Sequence, residues 1–144
     1  MDTETQKYID IDIDEHINPL DNWIGTSYLR YFPDEDIMIS YYDGYEEESL
    51  DQFNAWVISS IISTIDGSYP NQCPVKDSLE KMEQLNWVNQ QCGKDLPTAK
   101  DLGSLMQVEE QDNEPCVANQ GEVIAFLKQC VSAESLANVD YPRC

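Results

Sequence analysis

The period of apolar positions changes about a third of the way along the chain. Residues 8–14 alternate strictly, with three isoleucines at every second position and aspartates between them. Residues 26–32 and 37–42 are two further runs rich in β-branched and aromatic residues, and residues 33–36 between them have the composition of a tight turn. Alternation with period two is typical of half-buried strands. The first part of the chain therefore predicts three strands, the last two of them forming a hairpin.

Helical spacing begins after the glutamates at positions 46–48. Ser49 followed by Gln52 predicts a capping box, and apolar residues then recur every three or four positions as far as Ile65. So broad an apolar stripe predicts a central, buried helix. The same spacing and the usual capping residues predict further helices over 75–92 with Gly93 as stop, from Thr98 and over 120–131, and residues 135–139 are compatible with one further turn.

Strands followed by helices predict an α+β fold, in which an N-terminal three-stranded antiparallel sheet packs against three or four C-terminal helices. We expect one domain over residues 1–144, with a strand-rich part over 1–46 and a helical part over 49–139, because 41% apolar residues suffice for one core. The acidic stretch 109–115 predicts an exposed loop.

The charge of the chain is its outlying property. It holds 28 acidic against 8 basic residues, a formal net charge of −20. Residues 1–51 contain 15 acids against Lys7 and Arg30, a net charge of −13, whereas the other 93 residues carry −7. Such a field attracts basic proteins and repels nucleic acid and anionic membranes, and solubility alone needs a net charge of only about 2 to 8 in magnitude. The predicted partner is therefore a basic protein, with no direct binding of nucleic acid or membrane.

The sequence gives little support for catalysis. His16 is the single histidine, so no multi-histidine metal site or histidine acid–base pair can form. The common phosphate-binding, dinucleotide-binding and hydrolase motifs do not occur. A calcium loop starting at Asp10 fails because Glu15 and Asp21 occupy its sixth and twelfth positions. We therefore predict a non-enzyme without catalytic residues, metal or cofactor.

The five cysteines all lie in the second half of the chain, without a C-x-x-C pair. An N-terminus that lacks the basic and apolar parts of a secretory signal predicts a cytoplasmic protein. Disulfides would instead indicate a periplasmic or secreted one. The run 92–102, Cys-Gly-Lys-Asp-Leu-Pro-Thr-Ala-Lys-Asp-Leu, resembles a segment of some bacterial C-type-lectin-like and adhesin-associated domains. The helical pattern after it departs from those domains, so we interpret the run as a helix end, a turn and an N-cap.

The acidic residues of the first part predict a partner-binding surface. Alternate residues of a strand lie roughly 6.8 Å apart, so the aspartates of the first strand form an evenly spaced row of charge, and DNA carries about one charge per 3.4 Å on each strand. The predicted partner-binding residues are the acids and tyrosines of this region: Asp10, Asp12, Asp14, Asp34, Glu35, Asp36, Asp43, Glu46, Glu47, Glu48, Tyr41 and Tyr45.

These features favour a non-enzymatic inhibitor that occupies the basic nucleic-acid-binding groove of a partner enzyme, such as a nuclease. Phage anti-restriction and anti-CRISPR proteins that mimic DNA are similar to this chain in size and charge only. Two alternatives stay open: an immunity protein that neutralises a cognate toxin, and a disulfide-containing secreted binding domain. A homodimer is compatible with each of them.

Overall fold

A computed structural model describes residues 7–12, 28–41, 48–66, 75–111 and 113–139. The described residues form an α+β fold, in which an antiparallel three-stranded sheet precedes the helices, as predicted. In chain order the elements are β1 (Ile9–Asp12), β2 (Tyr28–Phe32), β3 (Ile37–Tyr41), α1 (Leu50–Ile65), α2 (Val75–Gln91), α3 (Ala99–Leu105), β4 (Val108–Gln111), β5 (Glu114–Val117), α4 (Gln120–Lys128) and α5 (Ala133–Ala137).

The three-stranded sheet has the order β1-β2-β3 and buries one of its two faces against the core. Ile11 pairs with Leu29, and Tyr31 pairs with Met38. These four side chains are at most 1% exposed and belong to the core. Asp10 is on the opposite, outer face. The alternation of the first strand therefore has the consequence predicted from sequence, with isoleucine inside and aspartate outside.

Helix α1 is the central helix, with contacts to α2, α4, α5 and β3. It begins where predicted, since the hydroxyl of its N-cap Ser49 accepts a 3.0 Å hydrogen bond from the backbone N–H of Gln52. The predicted capping box is only half present among the described hydrogen bonds, since none joins the Ser49 backbone N–H to the Gln52 side chain. The side chain of Gln52 donates to the backbone carbonyl of Ser135, so it fastens α5 to the start of α1. The predicted stripe is buried, and its fully buried members are Leu50, Phe53, Val57, Ile58, Ile61 and Ile65.

The connection from α2 to α3 confirms the predicted helix end and N-cap. Gly93 follows α2 with φ of +73°, a left-handed conformation that glycine adopts without a steric penalty. Thr98 and Asp101 form a complete capping box at the start of α3, with hydrogen bonds of 3.0 and 3.1 Å. The run that resembles a lectin-like segment is thus a helix end, a loop and a helix start.

The predicted loop over 109–115 is wrong, because β4 and β5 form an antiparallel hairpin there. Asn113 in the turn has φ of +68°, a left-handed conformation that asparagine tolerates better than most residues. Val117 and Cys116 on β5 are buried. The loop prediction relied on the acidic composition of this stretch. It overlooked Asn113 as a turn residue and the flanking valines Val108 and Val117.

The described residues contain five helices, one more than the upper limit of the prediction. The additional element is α5, which has Ser132 as its N-cap and a hydrogen bond from the Ser135 backbone N–H to the Ser132 hydroxyl. Among the described residues, no helix has the length and apolarity that crossing a membrane requires.

Candidate functional site

Seven of the twelve predicted partner-binding residues fall within the described residues. Asp10 and Asp12 are on β1, Tyr41 ends β3, and the other four are in or beside the β2–β3 hairpin: Asp34, Glu35, Asp36 and Glu48. The backbone of Glu48 exchanges two hydrogen bonds with that of Met38, so Glu48 lies beside β3 just before α1 begins. The remaining five lie outside the described residues: Asp14, Asp43, Tyr45, Glu46 and Glu47.

The carboxylate of Asp10 is paired with a cation. Arg30, directly opposite on β2, donates from Nε and Nη2 to the two carboxylate oxygens at 2.7 and 3.0 Å. Its guanidinium also lies 4.0 Å from the centroid of the Tyr8 ring. A bidentate pair of this kind cancels most of the charge that Asp10 presents. Sequence reasoning missed it because the strand register was not part of the prediction.

A cleft opens at one end of the sheet, where the β2–β3 turn meets the helices. Its volume is about 240 Å³. Four segments supply its lining: the end of β2 with the β2–β3 turn, the start of α1, the end of α2 with the loop after it, and the α4–α5 connection. We call this site the acidic cleft and define it by its lining residues Tyr31, Pro33, Asp36, Leu50, Asp51, Asn54, Asn89, Lys94, Asp95, Leu96 and Cys130.

Asp36, the last residue of the β2–β3 turn, is held at the cleft by a hydrogen bond from Tyr31. Its φ is +55°, and its Oδ1 accepts a 2.9 Å hydrogen bond from the hydroxyl of buried Tyr31. Burial, followed by the bond to Asp36 and the charge of Asp36, raises the pKa of Tyr31 far above its usual range. Tyr31 therefore stays a neutral donor to the carboxylate throughout the physiological pH range.

Asp51, in the first turn of α1, joins the cleft to α5. Its Oδ2 accepts a 2.7 Å hydrogen bond from the Ser132 hydroxyl. Burial acts to raise the pKa of Asp51, but hydrogen bonds from Ser135 and Ser132 outweigh it and hold the pKa below its ordinary value. Asp51 is therefore ionised at neutral pH, and part of its acceptor capacity is used in holding α5.

Two asparagines form the polar floor of the cleft. Asn54 on α1 and Asn89 on α2 exchange two reciprocal 3.0 Å hydrogen bonds between their carboxamides. Asn89 donates a further bond to the backbone carbonyl of Leu85 at 2.9 Å. Both residues are buried, with 5% and 1% of their surface exposed. The pair holds the two central helices at a fixed register beneath the cleft.

The thiols near the cleft are unreactive in character. Cys130 lines the cleft. Cys92 lies close enough for the charges of Asp36 and Lys94 to act on its pKa. Burial raises the pKa of Cys92 to about 12 and that of Cys130 to about 11. Both are free and buried. A thiol that stays protonated at neutral pH is a poor nucleophile, so neither is suited to catalysis.

The charge of the cleft is unbalanced. Its lining holds three carboxylates, Asp36, Asp51 and Asp95, against one cation, Lys94. The exposed residues Asp34 and Glu35 precede Asp36 in the same turn, so two further acids adjoin a lining residue along the chain. Within the described residues, no group of histidine, cysteine, aspartate or glutamate side chains is arranged to hold a metal ion. The arrangement is suited to accepting hydrogen bonds from a cationic group.

The site brings together part of what the sequence predicted. Of its three carboxylates, Asp36 is among the predicted partner-binding residues, whereas Asp51 and Asp95, from the helical part of the chain, are not. Comparisons with known proteins add no relative: no protein-family model, no curated protein and no solved structure matches the chain.

Proposed function

We propose that this protein is a non-enzymatic inhibitor that binds the basic nucleic-acid-binding groove of a partner enzyme. The observation that carries the proposal is the gathering of three acids, Asp36, Asp51 and Asp95, around one concave site with Lys94 as its cation. The exposed acids Asp34 and Glu35 precede Asp36 in the same turn. In a chain of net charge −20, this end concentrates the field that attracts a basic partner.

The acidic cleft replaces the aspartate row of β1 as the centre of the proposed interface. Arg30 neutralises Asp10, so that end of the row offers a partner little net charge. The turn acids Asp34 and Glu35 are exposed. Neither of them takes part in the ion pairs found among the described residues. A partner would gain most by contacting the turn and the cleft, since concave clefts of one charge focus the electrostatic field.

The test measures whether the protein releases a labelled DNA duplex from basic enzymes, by fluorescence anisotropy. The panel consists of restriction endonucleases and a guide-loaded Cas9-type nuclease. We expect release from at least one enzyme, weakening at least tenfold between about 50 and 200 mM salt because the interaction is electrostatic. No release from any enzyme at low salt would contradict the proposal.

A charge-matched pair of variants locates the interface. Asp34→Asn, Glu35→Gln and Asp95→Asn together should weaken DNA release, since they remove one charge from the cleft and two from the turn that supplies its Asp36. The control removes the same charge elsewhere, from the exposed residues Glu80, Glu83 and Glu110 by substitution with glutamine. If the control variant loses as much DNA-releasing activity as the cleft variant, the interface does not lie at the cleft.

A second candidate function, a binding domain of the periplasm or the extracellular space, is favoured by one observation: Cys116 is disulfide-bonded. Disulfides persist in oxidising compartments and are rare in the cytosol. Because Cys92 and Cys130 are free and one disulfide uses two of the five cysteines, three thiols should react with Ellman's reagent in the unfolded, unreduced protein. Five reactive thiols in protein purified under oxidising conditions would exclude this candidate.

A further inference from the structure

The size of the acidic cleft limits what it can hold. Sites for drug-sized ligands have volumes of about 300–1,000 Å³, and the cleft measures about 240 Å³. Pro33, Leu50 and Leu96 give it apolar walls. A concave site of this size with apolar walls and a polar floor fits a single long side chain, which is how anchor residues of a protein partner bind.

Asn54 in the floor has unused hydrogen-bonding capacity. A carboxamide offers two N–H donors and two acceptor lone pairs on its oxygen. Among the described hydrogen bonds of Asn54, one N–H donates to Asn89 and Oδ1 accepts one bond from Asn89. Both polar atoms of this buried side chain therefore have a partner, and the second lone pair of Oδ1 can accept one further hydrogen bond. A hydrogen-bond donor bound in the cleft would find this lone pair as an acceptor in the floor.

The electrostatics of the cleft select a cation. Asp36 and Asp95 line it from two different segments, and Lys94 is the cation among its lining residues. An arginine side chain matches this lining better than lysine, since its planar guanidinium has five donors, is weakly hydrated and packs its flat faces on apolar and aromatic surfaces. Pro33, which is exposed, and Leu96, which is partly buried, are lining groups available for that packing.

We propose that the acidic cleft receives one arginine side chain of the basic partner, with the guanidinium held by Asp36 and Asp95 and by Oδ1 of Asn54. The inference rests on the proposed function for the identity of the partner as a basic protein. The binding of an isolated arginine group to the cleft is a property of this chain and can be measured without a partner.

The probe is N-acetyl-arginine amide, titrated into the full chain and followed by the side-chain amide signals of Asn54 and Asn89 in two-dimensional NMR spectra. N-acetyl-citrulline amide is the control, since it has nearly the same shape without the charge. We expect the arginine probe to shift both signals and to bind at least tenfold more tightly than the citrulline probe. Equal binding of the two probes would overturn the inference.

Three variants then test the position of the charge. Asp95→Asn should weaken the arginine probe about two- to fivefold, the range expected for one exposed ion pair, and Lys94→Gln should strengthen it by a similar factor because a competing cation is removed. Glu80→Gln, an exposed control on α2, should leave binding unchanged. Weaker binding by Lys94→Gln, or an equal loss by Glu80→Gln, would contradict a cation in the cleft.

The two proposals fail in different ways. If the arginine probe does not bind but DNA is still released from a nuclease, the inhibitor function stands and its contact with the partner does not use the cleft. If the probe binds as expected but no enzyme of the panel releases DNA, the cleft accepts arginine and the partner is a basic protein of another class.

Discussion

Replacing Ile61 with alanine should lower the free energy of unfolding by about 2–5 kcal/mol, the range for truncating a fully buried aliphatic side chain. Ile61 has no exposed surface and lies in the middle of α1, the helix that contacts α2, α4, α5 and β3. A cavity at this point would lose contacts with several elements at once. The measurement is equilibrium unfolding in urea, in which the midpoint should fall while the slope stays constant.

The neighbouring residue provides the matched control. Ile62→Ala makes the same chemical change on the same helix, but Ile62 is only partly buried and packs at the margin of the core. Less apolar surface is lost there, so we expect a cost of about 1 kcal/mol. Equal costs for the two substitutions would mean that the core is not centred on the Ile61 side of α1.

The sequence predicts the fold well where one period dominates. The alternation in 8–14 correctly places Ile11 inside and Asp10 outside, and the helical stripe correctly gives both ends of α1. These patterns are reliable because an element with one buried face needs apolar residues at every second position of a strand, or every three to four positions of a helix. Composition is a weaker guide, as β4 and β5 show: backbone pairing and a left-handed Asn113 form a hairpin in a stretch whose charge suggested a loop.

The candidate site is less predictable, because it is assembled from distant parts of the chain. Asp36 and Asp51 are 15 positions apart, and Asp95 comes from the loop after α2. Nothing in the local pattern of Asp95 distinguishes it from other surface acids. The pairing of Asp10 with Arg30 likewise depends on strand register, 20 positions apart in sequence. Charge composition predicted an acidic surface, but only packing determines which carboxylates remain available to a partner.

Asn54 and Asn89 are a further example of a feature that depends on packing. In the sequence each is an ordinary polar residue of a predicted helix, and only the structure shows that their side chains bind each other. Asn54→Leu should destabilise the protein by about 2–3 kcal/mol, because it deprives buried Asn89 of a donor to Oδ1 and of an acceptor for one N–H. Asn89 keeps its bond to the Leu85 carbonyl, which limits the loss. Urea unfolding measures the cost.

The double variant Asn54→Leu/Asn89→Leu should recover much of that stability, since replacing both partners of a buried hydrogen-bonded pair by apolar groups of similar size is nearly neutral. A double-mutant cycle then gives the coupling between the two side chains, and additive costs would show that the reciprocal bonds contribute nothing. The double variant also separates stability from recognition. It should fold but lose affinity for N-acetyl-arginine amide, because the floor of the acidic cleft no longer offers an oxygen to the guanidinium.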